Sequence, residues 1–195
     1  MKHMRIRWDK SIWALNIMFF VVQVLITLGF ILKGEWNFTF SPIVTSILFL
    51  GLIFLENITD FQIKIVLRLL IVIFVTSHNL IGEYLHAYET IPLFDNILHL
   101  MGSFIFALLS FSILVGCFNQ RIFNSRLLVF IFVLAMGISL GTLFELVEFG
   151  LDIGLNEHNQ RGLLDTNVDL IFNVVGALLA AVTSAIKWPY RNFLI

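Results

Sequence analysis

The sequence predicts an all-α polytopic membrane protein, a six-transmembrane-helix bundle with its N- and C-termini cytoplasmic. Three observations predict it. The 195 residues are 59% hydrophobic and only 13% charged, with a mean hydropathy of +0.95, whereas a soluble domain carries about 25% charged residues. The apolar residues gather into six continuous runs near the length needed to cross a bilayer. The 12 Lys and Arg residues divide 10 against 2 between alternate connections of those runs, as the positive-inside bias requires. The 21 Phe residues exclude intrinsic disorder. A net charge of −1 argues against a nucleic-acid partner, which would want a basic surface. Six spans leave room only for short loops, so one integral membrane domain over 1–195 is expected.

The first run, 11–32, follows a basic stretch holding Lys2, His3, Arg5, Arg7 and Lys10. It is too long for a signal-peptide core and no small-residue cleavage site follows it, so it reads as an uncleaved helix. The second run, 42–58, has Ser41 as the expected N-cap and Pro42 at the first helical position. The third covers 63–82, the fourth 95–118 and the fifth 127–150. The sixth covers 166–188 and stops before Pro189. The runs are continuous rather than alternating, which excludes a β-barrel. No internal repeat or low-complexity linker interrupts them.

With the N-terminus inside, Lys2, Arg5, Arg7, Lys10, Lys64, Arg68, Arg121, Arg126, Lys187 and Arg191 are cytoplasmic, and Lys33 and Arg161 lie outside. Trp8, Trp13, Trp36, Trp188 and Tyr190 then fall near the interfaces, as an aromatic belt does. The same rule segregates the acids and histidines. His78, Glu83, His86 and Glu89 lie at and after the outer end of the third span, and Asp95 and His99 at the outer start of the fourth. Glu145, Glu148 and Asp152 end the fifth; His158 and Arg161 follow; Asp165, Asp169 and Asn173 open the sixth. Only Glu56 and Asp60 are acids of the inner loops.

The spacings place these groups on helix faces. Asp95 and His99 are i,i+4; Glu145 and Glu148 are i,i+3; Asp165, Asp169 and Asn173 form one stripe at i, i+4 and i+8. His99, Glu145 and Asp169 are each expected about 6 Å inside their helix ends. Ionisable groups in a bilayer cost about 2.5–3.5 kcal/mol each at its centre and persist where they face a bundle interior or wet cavity. A polar pocket open to the outside is the consequence. Two carboxylates on one apolar face, Glu145 and Glu148, repel unless a cation, a proton or Arg161 relieves them. Gly137 and Gly141, with Gly176, Ala177, Ala180 and Ala181, predict close packing of the fifth and sixth spans.

Each feature also has a structural reading. Asp95 can serve as an N-cap, as can Asp165 or Thr166. His99 can be a buried neutral imidazole bonded to a carboxylate, and Asp169 and Asn173 can bridge helices. His78 and His86 flank the same pocket if the third span continues as a helix. Cys117, the single cysteine, reads as a small core residue. The triplets at Asn37 and Asn57 match the glycosylation pattern, but three residues carry little specificity. Serine-hydrolase, P-loop, zincin and C-x-x-C motifs are absent. Imidazole and oxygen ligands without thiolates suit Mg, Mn, Zn or Fe.

The stretch from His78-Asn79-Leu80-Ile81-Gly82-Glu83-Tyr84 through His86-Ala87-Tyr88-Glu89-Thr90-Ile91-Pro92 to the D-x-x-x-H of Asp95 and His99 resembles the YjdF-like family of bacterial inner-membrane proteins. Phe144-Glu145-Leu146-Val147-Glu148-Phe149 and Asp165-Thr166-Asn167-Val168-Asp169 look like that family's E-L-x-E-aromatic and D-T-x-x-D motifs. The chain departs at Glu83, where a His-Tyr pair is more typical. More distantly, Asp95/His99 and Asp169/Asn173/Gly176/Ala177 are similar to the motifs of VanZ-like membrane proteins of the cell envelope, with Arg161 differently spaced. The resemblance implies six membrane helices in a bacterial cytoplasmic membrane and leaves the reaction open.

Three function classes follow. One is a metal- or acid/base-dependent hydrolase or transferase on a lipid or lipid-linked envelope substrate. Its catalytic groups would be Glu145, Glu148, His99 and Asp169, with Arg161, Asn173 and His86 binding substrate. Asp95, His99, Glu145, Glu148, Asp165 and Asp169 are the candidate ligands for a divalent Zn, Mn or Mg ion. The second class is a non-catalytic membrane partner with a structural polar cluster. The third is a small proton- or ion-coupled transporter, against which stands the lack of a repeat or broken helices.

Overall fold

The computed structural model describes residues 9–59, 61–117, 123–155 and 160–188. Lys2, His3, Arg5, Arg7, Trp8, Asp60, Arg121, His158, Pro189, Tyr190 and Arg191 lie outside them. The described residues are predominantly helical, without a strand among them, and six helices are long and apolar enough to cross a membrane. They are α1 (Lys10–Lys33), α2 (Phe40–Ile58), α3 (Ile65–Thr76, continued by a π-helix, Ser77–Tyr84), α5 (Phe94–Cys117), α6 (Arg126–Leu155) and α7 (Leu163–Lys187), with a single turn α4 (Ala87–Thr90) between α3 and α5. They form two compact units, Met1–Pro92 and Leu93–Leu194.

In the first unit, α1 buries Ile12, Leu15, Asn16, Phe19, Gln23, Ile26 and Phe30, a stripe that recurs every three or four residues with Leu15 and Asn16 adjacent. Its other faces are equally apolar: Ile17, Val21, Val24 and Leu28 are exposed. A helix apolar all round belongs in lipid. It ends in a Schellman motif at Gly34, whose φ of 78° needs a residue without Cβ. The N–H of Gly34 reaches Ile31 O and that of Glu35 reaches Phe30 O, satisfying carbonyls the helix leaves open.

Helix α2 begins earlier than expected. A 3-10 turn, Trp36–Thr39, runs into it, so Ser41 and Pro42 lie inside the first helical turn rather than at N-cap and N1. The Ser41 hydroxyl is used across the unit instead, donating to Asn79 Oδ1 at 2.8 Å. Nε2 of His78 lies 3.0 Å from the Ser41 hydroxyl oxygen, and Nδ1 is hydrogen-bonded with the Tyr88 hydroxyl. Asn79, fully buried, donates to Gln23 Oε1 at 2.6 Å and Thr45 Oγ1 at 3.0 Å. The π-helix explains a pair that α spacing forbids. Its i→i+5 bonding stacks residues five apart, which brings Glu83 Oε1 within 3.6 Å of His78 Nε2. Gly82 leaves the room that the Tyr88 ring occupies.

Glu56 differs from the expected inner-loop position: it lies within α2 and is fully buried, as is Arg68 of α3, whose Nη2 meets both Glu56 oxygens at 2.5–2.6 Å and whose Nη1 reaches Asn16 Oδ1 at 2.9 Å. Glu56 Oε1 also accepts the Ile63 N–H, tying down the turn into α3. The guanidinium lies over the Phe49 ring, which packs on Phe19.

The second unit is three helices in close contact. Small residues make it so. A Cβ on Gly137 would lie 2.5 Å from Ala177 Cβ, and one on Gly176 would strike the Leu100 carbonyl. The expected close packing of the fifth and sixth spans is therefore present, and α5 shares it. Ser103 Oγ links all three helices, directed at Gly137 O (3.0 Å) and Asn173 O (2.8 Å). At the opposite end Phe111, Phe123, Phe132 and Trp188 pack edge to face or tilted, and Arg126 Nε donates to Trp188 O.

Removing one partner of a buried ion pair strands the other charge, at a cost of about 3–5 kcal/mol, whereas replacing both with apolar groups is often neutral. Glu56→Ala is expected to lower the detergent-solubilised protein's thermal midpoint steeply. The double change Glu56→Leu/Arg68→Met should recover most of the loss in the same assay.

Candidate metal and acid–base centre

The second unit's polar residues sit on three helices that Gly141 and Gly176 allow to close on one another. A Cβ on Gly141 would lie 2.6 Å from Asn173 Cγ, so the glycine one turn before Glu145 is what admits α7's polar stripe. Helix α5 contributes Asp95, Asn96 and His99; α6 contributes Glu145 and Glu148; α7 contributes Asp169 and Asn173. His99, Glu145, Asp169 and Asn173 are each at least nine-tenths buried.

His99 is the centre. Its Nε2 faces Asp95 Oδ1 at 3.5 Å, Glu148 Oε1 at 3.8 Å and Asp169 Oδ1 at 4.0 Å. Its Nδ1 faces Glu145 Oε1 at 3.3 Å and the Asn173 amide at 3.4 Å. The Phe144 ring packs at a steep angle against the imidazole, 5.8 Å between centroids. Outer groups hold the carboxylates. Asn96 Nδ2 donates to Asp169 Oδ1 at 2.6 Å, Arg161 Nη2 to Asp95 Oδ2 at 2.9 Å, and Gln160 Nε2 to Glu145 Oε2 at 3.3 Å. Glu145 Oε1 is buried and receives no hydrogen bond among the described residues. Two trios offer ligand atoms within 4.8 Å of one another: Asp95/His99/Asp169 and His99/Glu145/Glu148.

The sequence-derived candidates fall as follows. Asp95, His99, Glu145, Glu148, Asp169 and Asn173 are brought together. Arg161 stands at the edge, half exposed, between Asp95 and Asp165. Asp165 is not beside His99; it lies in the first turn of α7 and accepts the Arg161 N–H at 3.0 Å, a reach-back to the residue before the Gly162 cap. Helix α7 starts at Leu163, a turn before the expected 166. Asp95 is no N-cap: it lies in the first turn of α5, with its carboxylate given to Arg161 and His99. His86 belongs to the first unit, where its Nε2 lies 3.9 Å from Glu35 Oε1. Its positive φ, 56°, is unusual outside glycine. Glu145 is deeper than expected. Helix α6 runs to Leu155 rather than 150, which places Glu145 about 15 Å from its end. Asn96 and Gln160 were not legible in the sequence: an amide beside an aspartate at i+1, or beyond a loop, carries no pattern.

Fold and site together define a six-span integral membrane protein with a buried histidine–carboxylate cluster. The chain matches the family of predicted membrane proteins DUF2238, the YjdF-like family, over residues 12–188 and belongs to it. It is 30% identical over 176 residues to a Thermotoga maritima protein described as an uncharacterized protein, covering 88% of this chain and 83% of that one. No solved structure matches it.

The outer partners differ in burial, and their loss should differ accordingly. Asn96→Leu leaves the buried Asp169 carboxylate short of a donor and is expected to cost about 1–3 kcal/mol. Arg161→Gln, at a half-exposed pair, should cost less than about 1 kcal/mol. Thermal unfolding in detergent at equal ionic strength checks the order.

Proposed function

We propose that the protein is a divalent-metal-dependent hydrolase or transferase acting on a lipid or lipid-linked substrate, with Asp95, His99, Glu145, Glu148 and Asp169 as its working groups. One observation carries the reading: four carboxylates converge on one histidine inside a membrane unit. With the four carboxylates ionised and His99 neutral, as a metal ligand must be, Arg161 leaves three negative charges uncompensated. Such a surplus is costly in low dielectric, and a divalent cation offsets two of the three. Asp95, His99, Glu145, Glu148 and Asp169 could hold such an ion, which would supply Lewis acidity and make a water in the site more acidic, and a neighbouring carboxylate would take the proton. Arg161, exposed beside Asp95, suits an anionic headgroup. Leu163 and Leu164, both highly exposed, continue an apolar surface from that point.

The charge distribution further supports a cytoplasmic-membrane protein with both termini inside and the cluster near the outer face. In a Cys117→Ser background, Leu163→Cys should react with a membrane-impermeant thiol reagent added outside intact cells. Labelling only after the cells are broken would invert the orientation.

Metal content by mass spectrometry tests the functional reading. About one equivalent of a divalent metal is expected in wild type, lost in His99→Ala, which removes the residue common to both trios. The metal-loaded wild type, but not His99→Ala, should convert components of a bacterial polar-lipid extract in vesicles. Wild-type protein that takes up no Zn, Mn or Mg would leave the cluster a proton-sharing structural element and overturn the proposal.

A further inference from the structure

The two trios are alternatives; distance from Nε2 does not separate them, since Glu148 at 3.8 Å is as near as Asp169 at 4.0 Å, but the outer contacts of the carboxylates do. We infer that the cluster is an open, single-ion site for a first-row transition cation such as Mn²⁺ or Zn²⁺, held by Asp95, His99 Nε2 and Asp169, with Glu148 beside the open positions and Glu145 as the positioning carboxylate of His99. The inference rests on the metal reading above and deepens it. Two ligand atoms about 2.1 Å from one ion stand roughly 3.0–3.4 Å apart. Nε2 already lies 3.5 Å from Asp95 Oδ1 and 4.0 Å from Asp169 Oδ1, so each of these two pairs needs closure of less than an ångström, and all three ligand atoms lie within 4.8 Å of one another.

The outer contacts fit this division. Asp95 offers Oδ1 to the site while Oδ2 is held by Arg161. Asp169 is oriented by Asn96, which donates to the same Oδ1 that faces Nε2. The orphaned Glu145 oxygen supplies an independent observation. Glu145 is 4% exposed and its Oε1 lacks a donor, yet it lies 3.3 Å from His99 Nδ1. A cation on Nε2 forces the ring proton onto Nδ1, which is the donor that oxygen lacks. Asn173, 3.4 Å from the same nitrogen, then presents its amide oxygen there. This is the carboxylate–histidine–metal relation in which the outer carboxylate fixes the tautomer and ring orientation. Glu148, 3.8 Å from Nε2, is held by no hydrogen bond from outside the cluster among the described residues. Three protein ligands leave coordination positions for water or substrate, as catalytic rather than structural sites do. The imidazole favours a transition ion over Ca²⁺ or Mg²⁺, which take oxygen ligands.

The test is a titration of the full-length protein in detergent with Mn²⁺, free ion being read by electron paramagnetic resonance. Wild type should bind one ion, and a large excess of Ca²⁺ should not displace it. Asp169→Asn and Asp95→Asn should abolish binding. Glu145→Gln should keep one ion at 10–100-fold weaker affinity, and Glu148→Gln should keep one ion at less than tenfold loss. Spin-echo modulation of the wild-type complex should show a single imidazole nitrogen, a readout independent of whether any variant folds. Loss of the ion in Glu145→Gln or Glu148→Gln with retention in the aspartate variants would assign the other trio and overturn the inference while leaving the metal reading intact. Displacement by Ca²⁺, or an echo without nitrogen, would also overturn it. A wild type that binds no Mn²⁺ or Zn²⁺ would take down the functional reading itself.

Discussion

Inside hydrocarbon a charged side chain has no water to turn to, so its counter-charge must come from the protein or from something the protein binds. That constraint organises both units. In the first it is met internally: Arg68 and Glu56 neutralise each other one to one, with Asn16 and the Ile63 N–H taking remaining valences. In the second, four carboxylates face one imidazole and one half-exposed guanidinium. A balanced pair is a fastening; an unbalanced cluster implies a further positive charge. The contrast between the two within one chain is the main reason to read function into the second.

Close approach of the helices makes that cluster physical. Side chains as short as aspartate and asparagine reach one histidine only if the backbones lie near. Gly141 sits against Asn173, Gly137 against Ala177, and Gly176 against the Leu100 carbonyl. Ser103 bonds into both neighbouring helices at the level where they meet. Lipid supplies little driving force for helix association, so van der Waals contact between small residues and such interhelical bonds must do so.

Polar groups of the first unit follow a different logic. The network from Gln23 through Asn79, Thr45 and Ser41 to His78 and Tyr88 joins α1, α2, the π-helix and α4 and is built on hydrogen bonds rather than charge. Its geometry depends on the π-helix at Ser77–Tyr84, which turns His78, Asn79, Gly82 and Glu83 towards their partners. Membership of the DUF2238 family covers both units, since the match runs from residue 12 to 188.

Sequence alone determined the helical class, the six spans and most of the cluster's members. Composition, run length and i,i+4 spacing are one-dimensional properties, and a bilayer turns them into architecture with few alternatives. Asp95/His99, Glu145/Glu148 and Asp169/Asn173 were therefore visible as faces. Tertiary structure decided who meets whom. It paired Glu56 with Arg68, gave Asp165 to the α7 start, lengthened α6 so that Glu145 lies deep, and set His86 against Glu35. It also brought in Asn96 and Gln160, whose amides belong to no motif. The reason is common to all of these: a residue's helix face follows from its position in the chain, but its partner follows from the rotation and depth of a neighbouring helix, which small-residue contacts and the π-helix set in three dimensions.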